Sequence, residues 1–337
     1  SSATLAGGTY NLDVTMSDLG TSGNTSDLRL NTYTSSTMGE VGTTAAATGS
    51  VDNPTVKRTG LAVADFANDF VVSTIDKSTT PLQEVYYSRD GGGDWNDATS
   101  WSTIACNGVA AATKPPSGAM AKICSGDVIT VNVNSTIAYL DVEDGGRVNG
   151  TANLTVSKDI TTAGTGYFDP TVGAWNVSEN ITLAGTGSST LSGTGTIAGN
   201  LTVGAGTTLT MSGGADLNIS GDVTIDGTLA LGTSIATMDG ASKTITSSAG
   251  TGSITGASAT FNVTDNISIA SSSTITIAPT FGIVGAKTLT NNGYVTLTGN
   301  LTGTAGGSTW TNAASSTLLA GGDVLTSGTL NASAVSN

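Results

Sequence analysis

A short phrase returns along this chain at a nearly constant interval, and that interval constrains the fold more than any other feature. The phrase is Asn or Asp, then an aliphatic residue, then Thr or Ser: Asp159-Ile160-Thr161, Asn180-Ile181-Thr182, Asn200-Leu201-Thr202, Asp222-Val223-Thr224 and Asn266-Ile267-Ser268. Counted from the Asn or Asp, the steps are 21, 20, 22 and 44 residues. Degenerate copies at Thr244-Ile245-Thr246 and Thr288-Leu289-Thr290 keep a step of 22, and looser echoes follow at Asn300-Leu301-Thr302 and Asp323-Val324-Leu325. A fixed period of this size marks a stacked-repeat architecture. Helical repeats are excluded by the residues themselves, because Thr, Ser, Gly, Val and Ile dominate and helix formers are sparse.

Each period holds two or three short stretches with period-2 alternation, such as Leu201-Thr202-Val203, Thr208-Leu209-Thr210-Met211 and Leu217-Asn218-Ile219. Gly- and Ser-rich corners separate them. Alternation turns the aliphatic side chain inward and the Thr outward. One such rung cannot bury its own apolar face, so rungs must stack and pair at roughly 4.8 Å. The chain is therefore expected to be all-β: a C-terminal β-solenoid (a parallel β-helix with rungs of about 21 residues) over residues 127–337. About ten such rungs would make a rod on the order of 50 Å long.

Residues 1–83 carry no such period. Alternating stretches at Thr9–Met16 and Leu28–Tyr33, and an apolar run from Leu61, predict a β-sandwich-like N-terminal domain. The Ala-rich run between Gly42 and Ser50 could instead form a short helix. Between the two parts, residues 84–126 read as a Trp/Cys capping module. Here Gly91-Gly92-Gly93-Asp94-Trp95-Asn96-Asp97 and Thr99-Ser100-Trp101-Ser102 precede a Pro115-Pro116 loop and the strand phrase Gly126-Asp127-Val128-Ile129-Thr130-Val131. This order resembles the head module of bacterial secreted and cell-surface β-helix proteins of adhesin-like character. The resemblance covers about residues 86 to 150. It implies secretion, a capped solenoid and a surface role, and it implies no catalytic residues. The physical reading agrees, since Trp95 and Trp101 can seal the apolar core at the first rung.

Charge narrows the function. Eleven basic residues against 25 acidic ones give a net charge of −14, which disfavours nucleic acid and anionic membranes as partners. No apolar run is long enough for a spanning helix, so no membrane insertion is expected. The chain has no His, which removes the usual general base and the common zinc sites. From Gly185 onward there are six Asp and two Lys, Lys243 and Lys287, with no Glu or Arg. A solvated surface fits these better than an acid–base pair, and the chain is not expected to be an enzyme. Asp90, Asp94, Asn96 and Asp97 form an oxygen-rich turn that could take Ca²⁺, although tight turns use the same residues; no other cofactor is expected. The two cysteines, Cys106 and Cys124, are expected to form a disulfide, which points to a secreted, extracellular or cell-surface location. Two free thiols are the competing reading.

Two further features bear on partners. Asn-x-Ser/Thr triplets occur twelve times, at Asn24, Asn134, Asn149, Asn153, Asn176, Asn180, Asn200, Asn218, Asn262, Asn266, Asn300 and Asn331. Several coincide with the recurring phrase, whose Asn and Asp are expected to stack as a hydrogen-bonded ladder. The aromatic run Tyr167-Phe168 through Trp175 reads as a loop packed on the rod, or as a shelf for surface glycans.

The function expected is a structural subunit of a secreted fibre or surface assembly, polymerising with itself head to tail through β-edges. A cell-surface adhesin or carbohydrate-binding stalk is the alternative. The fibre reading takes Val324, Leu325 and Leu330 as an open sheet edge. It takes the strand carrying Tyr10, Leu12, Val14 and Met16 as the segment that adds to a neighbour.

Overall fold

A computed structural model describes residues 8–16, 28–34, 37–39, 43–49, 53–67, 69–74, 85–170, 174–212, 214–248, 251–324, 329–331 and 335–336. The chain divides into two compact units, Ser1–Glu84 and Val85–Asn337.

Among the described residues, the N-terminal unit contains six strands: β1 (Tyr10–Thr15), β2 (Leu28–Thr34), β3 (Thr37–Gly39), β4 (Thr43–Gly49), β5 (Pro54–Leu61) and β6 (Asp69–Thr74). They form two antiparallel sheets, ordered β1-β5-β4 and β3-β2-β6. Leu30 of one sheet shares a core with Ala47 and Val56 of the other, so the unit is a small β-sandwich. The Ala-rich run is strand β4 rather than helix, because pairing with β5 overrides the helix propensity of its alanines. Thr9–Met16 is not a free segment either. Its strand β1 is paired along β5, and Leu12, Val14 and Met16 pack against the unit's own core. Sequence reading missed Arg58, which is 1% exposed and donates from Nη1 to the Leu30 carbonyl at 2.8 Å.

The second unit is a three-sided parallel β-solenoid. Successive coils place one strand in each of three faces. The first face is a single sheet of 13 strands running from Trp101–Ser102 to Thr329–Asn331. The second begins with Gly92–Asp94 and continues through Tyr167–Pro170 into the Ser188–Ser192 series. The third runs from Ser135–Ile137 to Leu301–Gly303 in nine strands. Alternation decides what is inside: Leu201 and Val203 are buried while Thr202 between them faces out, and the same pattern recurs at Ile181–Leu183 and Val223–Ile225.

Large side chains are accommodated by their neighbours in the next coil. Trp175 registers with Gly195, where an added Cβ would collide with the indole, so only glycine fits. Phe261 stacks on Phe281 at 5.6 Å, and Phe281 meets the edge of Trp310 at 5.9 Å. The period is not uniform. Val223 pairs with Ile245, but Ile245 pairs with Ile269, a step of 24 residues by register where the phrase predicts 22. The extra residues fall between Ile245 and Ile269, so that Lys243 registers with Ile267.

The solenoid starts earlier than expected from the sequence. Val85–Ser88 and Gly92–Asp94 already pair in parallel with Met120–Ile123 and Val128–Val131, so the capping stretch is the first coil rather than a separate module.

Candidate functional site

The first coils of the solenoid are tied by a buried polar knot. Asp127 is 5% exposed; its Oδ2 accepts from Ser88 Oγ at 2.5 Å and its Oδ1 from the Gly91 amide at 2.9 Å. Ser88 Oγ in turn accepts the Cys124 amide at 2.7 Å. The phrase Gly126-Asp127-Val128 is thus a tie between the first two coils. Trp95 and Trp101 lie edge to face at 5.1 Å, both buried, and Trp101 Nε1 donates to the Trp95 carbonyl at 3.0 Å. Trp101–Ser102 runs antiparallel to Tyr87–Ser88, which ends the parallel stack of the first face. The disulfide joins Cys106 to Cys124 beside these tryptophans' coil, with Cα atoms 5.9 Å apart.

Three of the four residues considered for calcium have other partners. Asp90 pairs with Arg89 at 2.9 Å. Asn96 Oδ1 accepts from Lys114 Nζ at 2.7 Å. Asp97 caps the 3₁₀ turn Ala98–Ser100, and hydrogen bonds from the Thr99 backbone and side chain lower its pKa. Among the described residues, Asp90, Asp94 and Asp97 form no common group with a shared centre. The one cluster of such ligand atoms among the described residues is Cys106, Cys124 and Glu143, and both of its sulfurs are committed to the disulfide.

Charge is concentrated on the first coils of the first face. Lys122 Nζ lies 3.3 Å from Asp141 and 2.9 Å from Glu143. Burial works against the Lys122 ammonium, but hydrogen bonding and charge from Glu143 and Asp141 outweigh it and raise its pKa. Lys158 pairs with Glu179 at 2.7 Å one coil further on. Beyond that, the outward rank is hydroxyl: Asp141 registers with Thr161, then Thr182, Thr202, Thr224 and Thr246 follow. Lys243 and Lys287 stand two coils apart but two residues out of register, and Lys287 is tied to Asp265 at 3.0 Å.

The recurring Asn and Asp form the expected ladder. Asp159 Oδ1 accepts the Asn180 amide at 2.9 Å, Asn180 Oδ1 the Asn200 amide at 2.9 Å, Asn200 Oδ1 the Asp222 amide at 2.8 Å, and Asp222 Oδ1 the Thr244 amide at 2.8 Å. Thr244 has no carboxamide to pass on, and the ladder resumes from Asn266 to the Thr288 amide at 2.9 Å. Each side chain satisfies a corner N–H that the strands leave unpaired.

Two of the aromatic run's three rings belong to the core rather than to an outward shelf. Tyr167–Pro170 is a regular strand in register with Arg147–Gly150, and Phe168 and Trp175 are buried in the core, edge to face at 6.4 Å. Only Tyr167 faces outward, because alternation sends its neighbours in. At the other end, Leu330 registers with Trp310 and packs against the core, while Val324 makes a single parallel bridge to Leu301. Leu325 lies outside the described residues.

Among the described residues, no helix is long and apolar enough to cross a membrane. The disulfide fits a protein of an oxidising compartment. The class that the fold defines is a three-sided β-solenoid with a β-sandwich unit preceding it. No family model, curated protein or solved structure matches the chain.

Proposed function

We propose that this chain is the structural subunit of a secreted fibre or surface assembly, joined to further copies of itself through sheet edges. The resemblance of its head module to adhesin-like surface proteins supports the same setting. The observation that carries the reading is the position of β1. It is the outermost strand of its sheet, bonded to β5 on one side only among the described residues. Met16 donates its amide to the Pro54 carbonyl at 3.0 Å, so alternation turns the amides of Asp13 and Thr15 away from β5, toward a strand of another copy. The receiving edge is a strand such as Thr329–Asn331, outermost in the first face among the described residues. Joining works edge to edge rather than by donation of β1, because withdrawing Leu12, Val14 and Met16 would empty the subunit's own core. The role is mechanical rather than catalytic. A stalk that presents its outward threonine ranks to a glycan surface is the second reading, favoured by the neutral hydroxyl face.

Light scattering at rising concentration and negative-stain microscopy test the assembly, comparing the parent chain with Thr15→Pro. Proline at an outward-facing edge amide leaves the pairing with β5 intact but blocks a further strand. Filaments from the parent and monomers from the variant, with equal β-sheet circular dichroism, are expected. A parent chain that stays monomeric at high concentration refutes the fibre reading and leaves the stalk.

A further inference from the structure

The twelve Asn-x-Ser/Thr triplets look alike in sequence, but the fold sorts them by what the carboxamide is doing. Six of the Asn residues spend their side-chain carbonyl on a backbone amide of the following coil. These are Asn134, Asn153, Asn180, Asn200, Asn266 and Asn300, with bonds of 2.8–3.1 Å. Asn149 Oδ1 accepts from Thr130 Oγ1 at 2.9 Å. Asn24 lies outside the described residues, as does the side chain of Asn331.

Three remain, and they share a place. Asn176, Asn218 and Asn262 all lie in the outward rank of the third face, each between two buried apolar neighbours: Trp175 and Val177, Leu217 and Ile219, Phe261 and Val263. Register connects them through the rank Thr155, Asn176, Thr196, Asn218, Thr237, Asn262 and Gly282. Asn therefore stands on every second coil, with a small threonine between, at intervals of about 10 Å. Among the described residues, none of these three carboxamides has a hydrogen-bond partner. Gly282 interrupts the rank, and the Asn262 carboxamide lies over it, where a Cβ would collide with Oδ1.

We propose that Asn176, Asn218 and Asn262 are N-glycosylation sites, placing a line of glycans along one face of the rod. A transferase must take hold of the carboxamide and turn it into its own site. An amide bonded to the next coil resists this, at a cost of about 1 kcal/mol per hydrogen bond, whereas these three are free to turn. In the step, Asn Nδ2 bonds to C1 of a sugar carried on a polyprenyl or nucleotide phosphate. The bond from C1 to the phosphate oxygen breaks, its electron pair stays on the phosphate, and Nδ2 gives up a proton. The sequon hydroxyls are supplied by Ser178, Ser220 and Thr264. The glycan line would keep the third face solvated and leave the first and second faces bare. It stands independently of polymerisation.

Glycopeptide mass spectrometry on the protein purified from its own cells tests the proposal. Sugar is expected on Asn176, Asn218 and Asn262, with the six ladder asparagines unmodified. Asn218→Gln made in the same cells should lose one glycan mass while its melting temperature stays unchanged. Bare peptides at all three sites, equal occupancy on the ladder asparagines, sugar confined to threonine, or an unchanged mass for Asn218→Gln would each overturn it.

Discussion

Replacing Phe281 by alanine should weaken the rod locally rather than everywhere. The side chain is fully buried, stacked on Phe261 in the coil before and against the edge of Trp310. Removing a buried Phe ring costs about 3–5 kcal/mol when the cavity cannot collapse. The cavity here is walled by hydrogen-bonded strands on three sides, so the upper half of that range applies. Each aromatic pair contributes about 0.5–1.5 kcal/mol beyond burial, and two are lost together. Measured Phe truncation costs already include such lost pair contacts, so the expected destabilisation stays at about 4–5 kcal/mol. In a stack where each coil contacts only its neighbours, this loss lands on the coils that hold Phe261, Phe281 and Trp310. Hydrogen exchange followed by mass spectrometry on the variant should show lost amide protection across Thr260–Asn312, with Leu201–Ile225 as protected as in the parent. A denaturation shift under about 1.5 kcal/mol, or protection lost evenly along the rod, would refute the picture of nearest-neighbour stacking.

Two further outcomes follow from single groups. Burial raises the Asp159 pKa above its ordinary 3.8, against the opposing hydrogen bonds from Asn180. The folded state is thus favoured while this carboxyl is protonated, and that contribution is lost as pH rises from 3.8 through the raised folded value. Asp159→Asn keeps the Oδ1 acceptor without the charge, so its melting temperature should exceed the parent's at neutral pH and converge with it in acid; equal melts at neutral pH would contradict this. Opening the Cys106–Cys124 bridge should cost about 3 kcal/mol for a closed loop of this length, read as the denaturation midpoint of Cys106→Ser/Cys124→Ser, and unreduced native protein should yield no alkylated thiol.

The coil period was legible in the sequence because every coil reuses one corner, and that corner demands a side-chain carbonyl for an unpaired amide. Asn180 and Asn200 announce it, and so does Asp222. What the phrase could not convey was register. Thr244-Ile245-Thr246 preserves the spacing, yet the strand that follows pairs two residues out, and nothing in the phrase itself marks where. The aromatic run misled for a similar reason. Tyr167-Phe168-Asp169-Pro170 lacks the usual threonines, but its alternation is intact, and the matching vacancy at Gly195 lies 20 residues from Trp175, too far for local pattern to connect. Arg58 was invisible because Lys57-Arg58 reads as an exposed charged pair, while the pleat turns one of the two inward. The sequons were countable but not separable, since a ladder asparagine and a rank asparagine sit in identical triplets.

The side-chain ladder also bears on how such a chain can change length over generations. Between Asp159 and Asp222 each coil presents the same acceptor above and the same amide below. Duplicating or deleting one coil's worth of sequence in that stretch regenerates every corner bond at the new junction, so rod length can drift in whole-coil steps wherever Trp175 keeps Gly195 as its neighbour. The two-residue offset after Thr244 has no such freedom, because a copy inserted there would meet its neighbour out of register. Length variation among descendants of this gene should therefore cluster before Asp222, leaving the offset as a fixed landmark.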